Sequence, residues 1–90
     1  MDMPAYEIVW SRITSHSVEV FRQIRGGEFR YAMDGNGIIP DRTKHRFSKT
    51  EIEKAFRRMP VKNTVALQDL RGPSYLYAIL MDERIRQGDW

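Results

Sequence analysis

Two strong turn signals stand close together in the first half of the chain, Gly26-Gly27 and Asp34-Gly35-Asn36-Gly37. The six residues between them, Glu28–Met33, are too few for a stable helix and match the usual length of a strand. A chain that must reverse twice within so short a span is committed to an antiparallel meander. The incoming strand is 18–24, VEVFRQI, in which Val18, Val20 and Ile24 share one face and Glu19, Phe21 and Gln23 the other. Gly26-Gly27 can supply the positive φ angles of a two-residue hairpin turn. The return strand, 28–33, puts Phe29, Tyr31 and Met33 on one face and Glu28, Arg30 and Ala32 on the other. Ile38 and Ile39 begin a third strand, which Pro40 confines to the sheet edge because it cannot donate to a ladder. Three strands with one oily face need helices laid over them.

The flanking sequence supplies those helices. Pro4–Thr14 carries Tyr6, Val9, Trp10 and Ile13 at helical spacing, and Asp2 or Met3 precedes a proline suited to a first turn. Ser48-Lys49-Thr50-Glu51 is a capping box. The Ser48 hydroxyl can accept from the Glu51 N–H, and the Glu51 carboxylate can reach back to the Ser48 N–H. Phe47 and Ile52 occupy the positions of a hydrophobic staple. Ile52, Ala55, Phe56 and Met59 form the buried stripe, and Pro60 stops the helix near Met59. Asn63 can cap a short helix, 64–70, carrying Val65, Leu67 and Leu70. After Gly72 a last helix spans 73–87: YLYAILM is apolar all round and should be buried, while DERIRQ is amphipathic and frays into Gly88-Asp89-Trp90.

The predicted class is therefore α+β: an N-terminal helix, a three-stranded antiparallel β-meander, then two or three C-terminal helices packed on one sheet face. Ninety residues make one small globular domain, 1–90. Such a chain buries roughly 60–65% of its unfolded surface. There are no cysteines, which excludes disulfides and thiolate metal sites and favours a reducing compartment. The opening MDMPAYEIVW has neither the basic nor the apolar region of a signal peptide. The longest apolar run, Tyr75–Met81, is far short of the ~20 residues of a membrane helix. The expected location is the cytoplasm, with no membrane partner.

Charge is unevenly spread. The net formal charge is +3, but 42–62 holds eight basic residues against Glu51 and Glu53, leaving the remainder at −3. Arg42, Lys44, Arg46, Lys49, Lys54, Arg57, Arg58 and Lys62 are the candidate nucleic-acid-binding residues, since Lys and Arg neutralise phosphates and release counterions regardless of sequence. The competing reading is a solvated helix face, with Glu53 and Arg57 as an ordinary i, i+4 pair. A second candidate surface is the corner Gly72-Pro73-Ser74-Tyr75. Tyr75 and Tyr77 point about 200° apart on a helix, so one of them must reach the surface near Arg71. Arg71, Tyr75 and Tyr77 are the candidate interaction residues for a protein partner, against a reading in which a tyrosine hydroxyl bonds at the rim of the core.

Other chemistries lack their residues. The segments 48–59, 64–70 and 73–87 have helix-turn-helix spacing, but Tyr75–Met81 is too apolar to lie in a groove. The interleaved FRQIRGGEFRY at 21–31 could form a stacking platform for single strands, but rings in so small a domain belong in the core. His16 and His45 have no companion ligands at metal-binding spacing. No nucleophile elbow is present, no lysine after Asp41 follows a carboxylate in nuclease fashion, and the glycines fit no phosphate-binding loop. The expectation is a non-catalytic accessory domain without cofactor. Its proposed ligand is nucleic acid, through 42–62, or alternatively a protein, through the corner at 72–75.

Overall fold

The computed structural model describes residues 3–90. Its architecture is α+β, with an N-terminal helix, antiparallel strands and C-terminal helices. Helix α1, Tyr6–Ser15, starts two residues after Pro4; Asp2 lies outside the described residues. Val9 and Ile13 are fully buried, and Tyr6 and Trp10 pack at the margin of the core. Two short strands follow, β1 (Phe21–Arg22) and β2 (Glu28–Phe29), paired antiparallel. A three-stranded antiparallel sheet comes next, of β3 (Tyr31–Met33), β4 (Gly37–Pro40) and β5 (Phe47–Ser48), in the order β3-β4-β5. Helix α2 is Lys49–Phe56, a 3-10 turn covers Thr64–Leu67, and α3 (Pro73–Leu80) and α4 (Glu83–Arg86) close the chain.

The core lies between the helices and the inner sheet face. Phe21, Phe29, Tyr31, Ile38 and Phe47 meet Val9, Ile13, Ile52, Leu76, Ile79, Leu80 and Ile85 there. No polar or charged residue among those described is fully buried apart from Tyr31 and Trp90, which carry a polar tip. Each tip is satisfied: the Tyr31 hydroxyl donates to the Ile13 carbonyl at 2.5 Å, and the Trp90 indole N–H donates to the Leu80 carbonyl at 2.8 Å.

Several local expectations are corrected. The strand expected at 18–24 shrinks to Phe21–Arg22, and the aliphatic row faces outward: Val18, Val20 and Ile24 are 66%, 39% and 53% exposed. The other row wins because Phe21 has more area to bury. The Gly26-Gly27 reversal is a longer loop, 23–27, in which only Gly26 has positive φ. Strand β4 is central rather than an edge, since β5 pairs with it at Gly37–Ser48 and Ile38–Phe47. Pro40 is tolerated because it sits past the end of that pairing, opposite Tyr31 of β3.

The capping box of α2 is complete: Glu51 N–H donates to Ser48 Oγ at 3.1 Å, and Ser48 N–H donates to Glu51 Oε2 at 2.7 Å. The helix expected at 64–70 is a single 3-10 turn with Asn63 as its cap, and Val65 points outward, 65% exposed. The long last helix is broken at Asp82, whose side chain accepts from the Arg84 N–H at 2.9 Å and starts α4 afresh. This is the usual competition of a short carboxylate with the helical backbone. Nor does the C-terminus fray. Trp90 is 8% exposed and meets Phe56 edge-on at 5.3 Å. Arg12 of α1 donates to the Ile85 carbonyl at 2.9 Å and pairs with Asp89 at 2.7 Å, closing the end of α4.

Candidate anion-binding face

The capping box fixes the rotation of α2. With Ile52, Ala55 and Phe56 buried, Lys54 and Arg57 must face solvent. The strand pairing of Phe47 fixes the loop before it and leaves Arg42, Lys44 and Arg46 exposed.

The eight basic residues of 42–62 do not form one patch. Four of them are balanced by carboxylates. Arg46 pairs with Asp34 at 2.9 Å and also donates to the Asp34 carbonyl. Lys49 pairs with Glu7 at 2.9 Å and lies 5.8 Å from the centre of the Trp10 ring. Arg57 pairs with Glu53 at 2.6 Å, one helical turn away. Arg58 grips Asp69 through two nitrogens, at 2.5 and 2.8 Å, and donates to the Ala66 carbonyl at 3.0 Å. Those hydrogen bonds hold the Asp69 carboxyl down at about 2.

Arg42, Lys44, Lys54 and Lys62 have no carboxylate partner among the described residues. Two further cations join them from outside the basic segment. Arg71 and Lys54 line one crevice of about 150 Å³ with Glu51, Asp69, Leu70 and Leu76. Both of its carboxylates are occupied, Asp69 by Arg58 and Glu51 by the Ser48 N–H and His45. Although burial works against it, the Glu51 carboxyl is held below its ordinary range by those bonds. Arg25 lines a second crevice, of about 320 Å³, with Gln23, Ile24, Thr64, Pro73 and Ser74.

The corner at 72–74 joins these pieces. Gly72, at φ 58°, lies on the ring of Phe47, and His45 meets that ring edge-on at 4.4 Å. Ser74 accepts from Gln23 Nε2 at 2.9 Å. On the other side of Gln23 sits Arg42: a β-carbon on Gly27 would come within 2.8 Å of Gln23 Oε1 and 3.2 Å of Arg42 Nη1. The basic loop and the glycine-proline corner, far apart in sequence, therefore adjoin in space. Arg71 is exposed there. Tyr75 is half-buried and edge-on to Phe29 at 4.9 Å, while the Tyr77 hydroxyl donates to the Lys62 carbonyl at 3.4 Å.

Known protein families, curated proteins and solved structures give no match to this chain.

The rings of 21–31 are core. Phe21, Phe29 and Tyr31 are at most 2% exposed and offer no stacking surface. Among the described residues, no three His, Asp or Glu side chains converge as a metal site. Sequence reasoning missed Arg84, the most heavily bonded cation of the fold. It donates to Asp82, to Glu19 at 3.1 Å and to the Val20 carbonyl at 2.8 Å, and lies 3.9 Å from the centre of the Phe21 ring. Asp82 is a neighbour in the chain, but Glu19 and Val20 come from a distant loop, and nothing in the local pattern announces them. Arg71 is a candidate from sequence, as an interaction residue beside the glycine-proline corner, whereas Arg25 is legible only as the neighbour of a glycine turn.

Proposed function

We propose that the protein is a non-catalytic, cytoplasmic accessory domain that binds the phosphate backbone of nucleic acid. The binding residues are Arg42, Lys44, Lys54 and Lys62 of the basic segment, joined by Arg25 and Arg71. The observation that supports this reading is the segregation of charge. The carboxylates that share a crevice with Lys54 and Arg71 already have partners, while none of the six cations forms an ion pair among the described residues, and Arg42 donates only to the Glu28 carbonyl at 3.4 Å. Unpaired cations exchange mobile counterions for phosphates, whereas paired ones must first give up a partner. The burial of the aromatic rings supports contact with the backbone rather than with unstacked bases. The cysteine-free sequence fits a reducing compartment.

Titration of fluorescent DNA and RNA, single- and double-stranded, at about 50 mM salt tests this proposal. The parent should bind, with log affinity falling linearly against log salt. Lys54→Glu with Arg71→Glu should remove binding and leave the fold intact, because exposed substitutions usually shift stability by less than about 0.5 kcal/mol. Arg57→Gln, which removes a cation already balanced by Glu53, should change affinity little. A parent that binds none of the four nucleic acids overturns this reading. An acidic protein partner docking on the Arg71–Tyr75 corner would then take its place.

A further inference from the structure

The β3–β4 sheet has two faces, and the helices cover one. Tyr31, Ile38 and Pro40 point inward and are buried. On the outer face Ala32 stands opposite Ile39. Next along the ladder Arg30 and Asp41 lie opposite one another. They are joined through the Arg30 backbone: its carbonyl accepts from the Asp41 N–H at 2.8 Å, and its N–H donates to Asp41 Oδ1 at 3.1 Å. Val18 and Val20, 66% and 39% exposed, extend this surface beyond the β3 edge. Two adjoining depressions, about 560 and 160 Å³, run along it and share Arg30 and Asp41.

Two observations set this face apart from ordinary exposed aliphatics. The first is Val18, which sits in the left-handed region at φ 61° with its N–H donating to the Tyr31 carbonyl at 2.8 Å. A β-branched residue is a genuine outlier there. The positive φ closes the turn after α1, with the Glu19 N–H donating to the His16 carbonyl at 3.3 Å, and it leaves the Val18 side chain in water beside Ala32. The second is the charge pattern. The side chains of Arg30 and Asp41 form no ion pair with any described residue, though their signs are opposite and they share one row.

We propose that this outer face is a two-fold docking surface for a second copy of the chain. Rotation about an axis parallel to the strands, between β3 and β4, sets each Arg30 against Asp41 of the second copy and each Ala32 against Ile39. The pattern is self-complementary, as a two-fold interface requires. Arg30 and Asp41 stand side by side at one end of the Ala32–Ile39 row, so one operation matches both the charges and the apolar residues. The surface borders Arg42, which lies between Asp41 and Thr43, but contains none of the cations proposed to bind phosphate.

Light scattering and sedimentation equilibrium of the full chain at increasing concentration test the proposal. The mass should rise from the 10.7 kDa of one chain towards twice that value. Ala32→Arg, on an exposed strand position, should keep the parent's circular dichroism and remain monomeric. Arg30→Glu and Asp41→Lys should each weaken self-association at least about tenfold, since like charges then face each other. An equimolar mixture of those two variants should recover the dimer. The carboxylate introduced at position 30 of one variant then meets the ammonium introduced at position 41 of the other, and the remaining Arg30 meets the remaining Asp41. A parent that stays monomeric at the highest concentration overturns the proposal, as does a dimer that survives Ala32→Arg. If Asp41→Lys does not fold, Ala32→Arg alone decides.

Discussion

Gly72 lies on the Phe47 ring so closely that a β-carbon at that position would collide with the ring's Cζ and Cε1 atoms. The contact joins the start of α3 to the strand that leads into α2 and seats the corner beside the unpaired cations. Gly72→Ala meets two penalties, the left-handed φ of 58° and the collision. Together these should cost about 2–4 kcal/mol. The loss should be smaller when Phe47→Leu is already present, and a double-mutant cycle in urea would measure the coupling.

Arg84 is predicted to matter more for stability than any cation of the basic segment. It bonds Asp82, Glu19 and the Val20 carbonyl while covering Phe21. Arg84→Ala should lower stability by about 1–3 kcal/mol. Arg84→Lys keeps the charge but not the planar fork and should recover less than half of that. Denaturant midpoints of the two variants check both statements.

Acid should destabilise the fold through specific carboxylates. Asp69 is held low by hydrogen bonds from Arg58, and Glu19 by its hydrogen bond with His16. In Asp82, burial is outweighed by the bonds from Arg84, and in Glu51 by those from Ser48 and His45. Each folded-state value lies below the unfolded one, so the unfolded chain binds more protons in between. The stabilisation is complete above the unfolded values, 4.5 for Glu and 3.8 for Asp, and is lost as pH falls towards the Asp69 value of about 2. The melting temperature should therefore drop across that interval. Asp69→Asn should flatten the lower part of the curve.

Trp90 should behave as a core residue. Its ring is edge-on to Phe56, and its N–H is bonded to the Leu80 carbonyl. Trp90→Ala should cost about 3–5 kcal/mol, a large part of the stability of a domain this small. Trp90→Phe keeps the edge contact and loses the hydrogen bond, so its melting temperature should fall between those of parent and Trp90→Ala.

The parts of the fold that were legible in sequence are those decided by neighbours in the chain. Both bonds of the Ser48–Glu51 capping box form within a single turn, so the pattern alone predicts them. Strand 18–24 was ambiguous because both of its rows are partly apolar. The choice depended on Phe21 finding Phe29, Tyr31 and Arg84, which come from three other segments. Strand β5 was hidden because Phe47 and Ser48 already had roles as staple and cap. The basic segment looked uniform for a similar reason. Asp34, Glu7 and Asp69, which neutralise Arg46, Lys49 and Arg58, all lie outside it, and sequence spacing does not reveal such pairs.

The reach of Arg12 to the carbonyl of Ile85, across 73 positions of the chain, bears on how the molecule assembles. Helix α1 is synthesised before its partners at the end of α4. Until they arrive, Val9 and Ile13 have no complete surface to bury against, and a ten-residue helix is marginal in water by itself. Contacts that close so long a loop raise the contact order and slow the search. A nascent chain halted before Asp82 would therefore display an apolar stripe rather than a folded half, and its need for protection is greatest just before synthesis reaches α4.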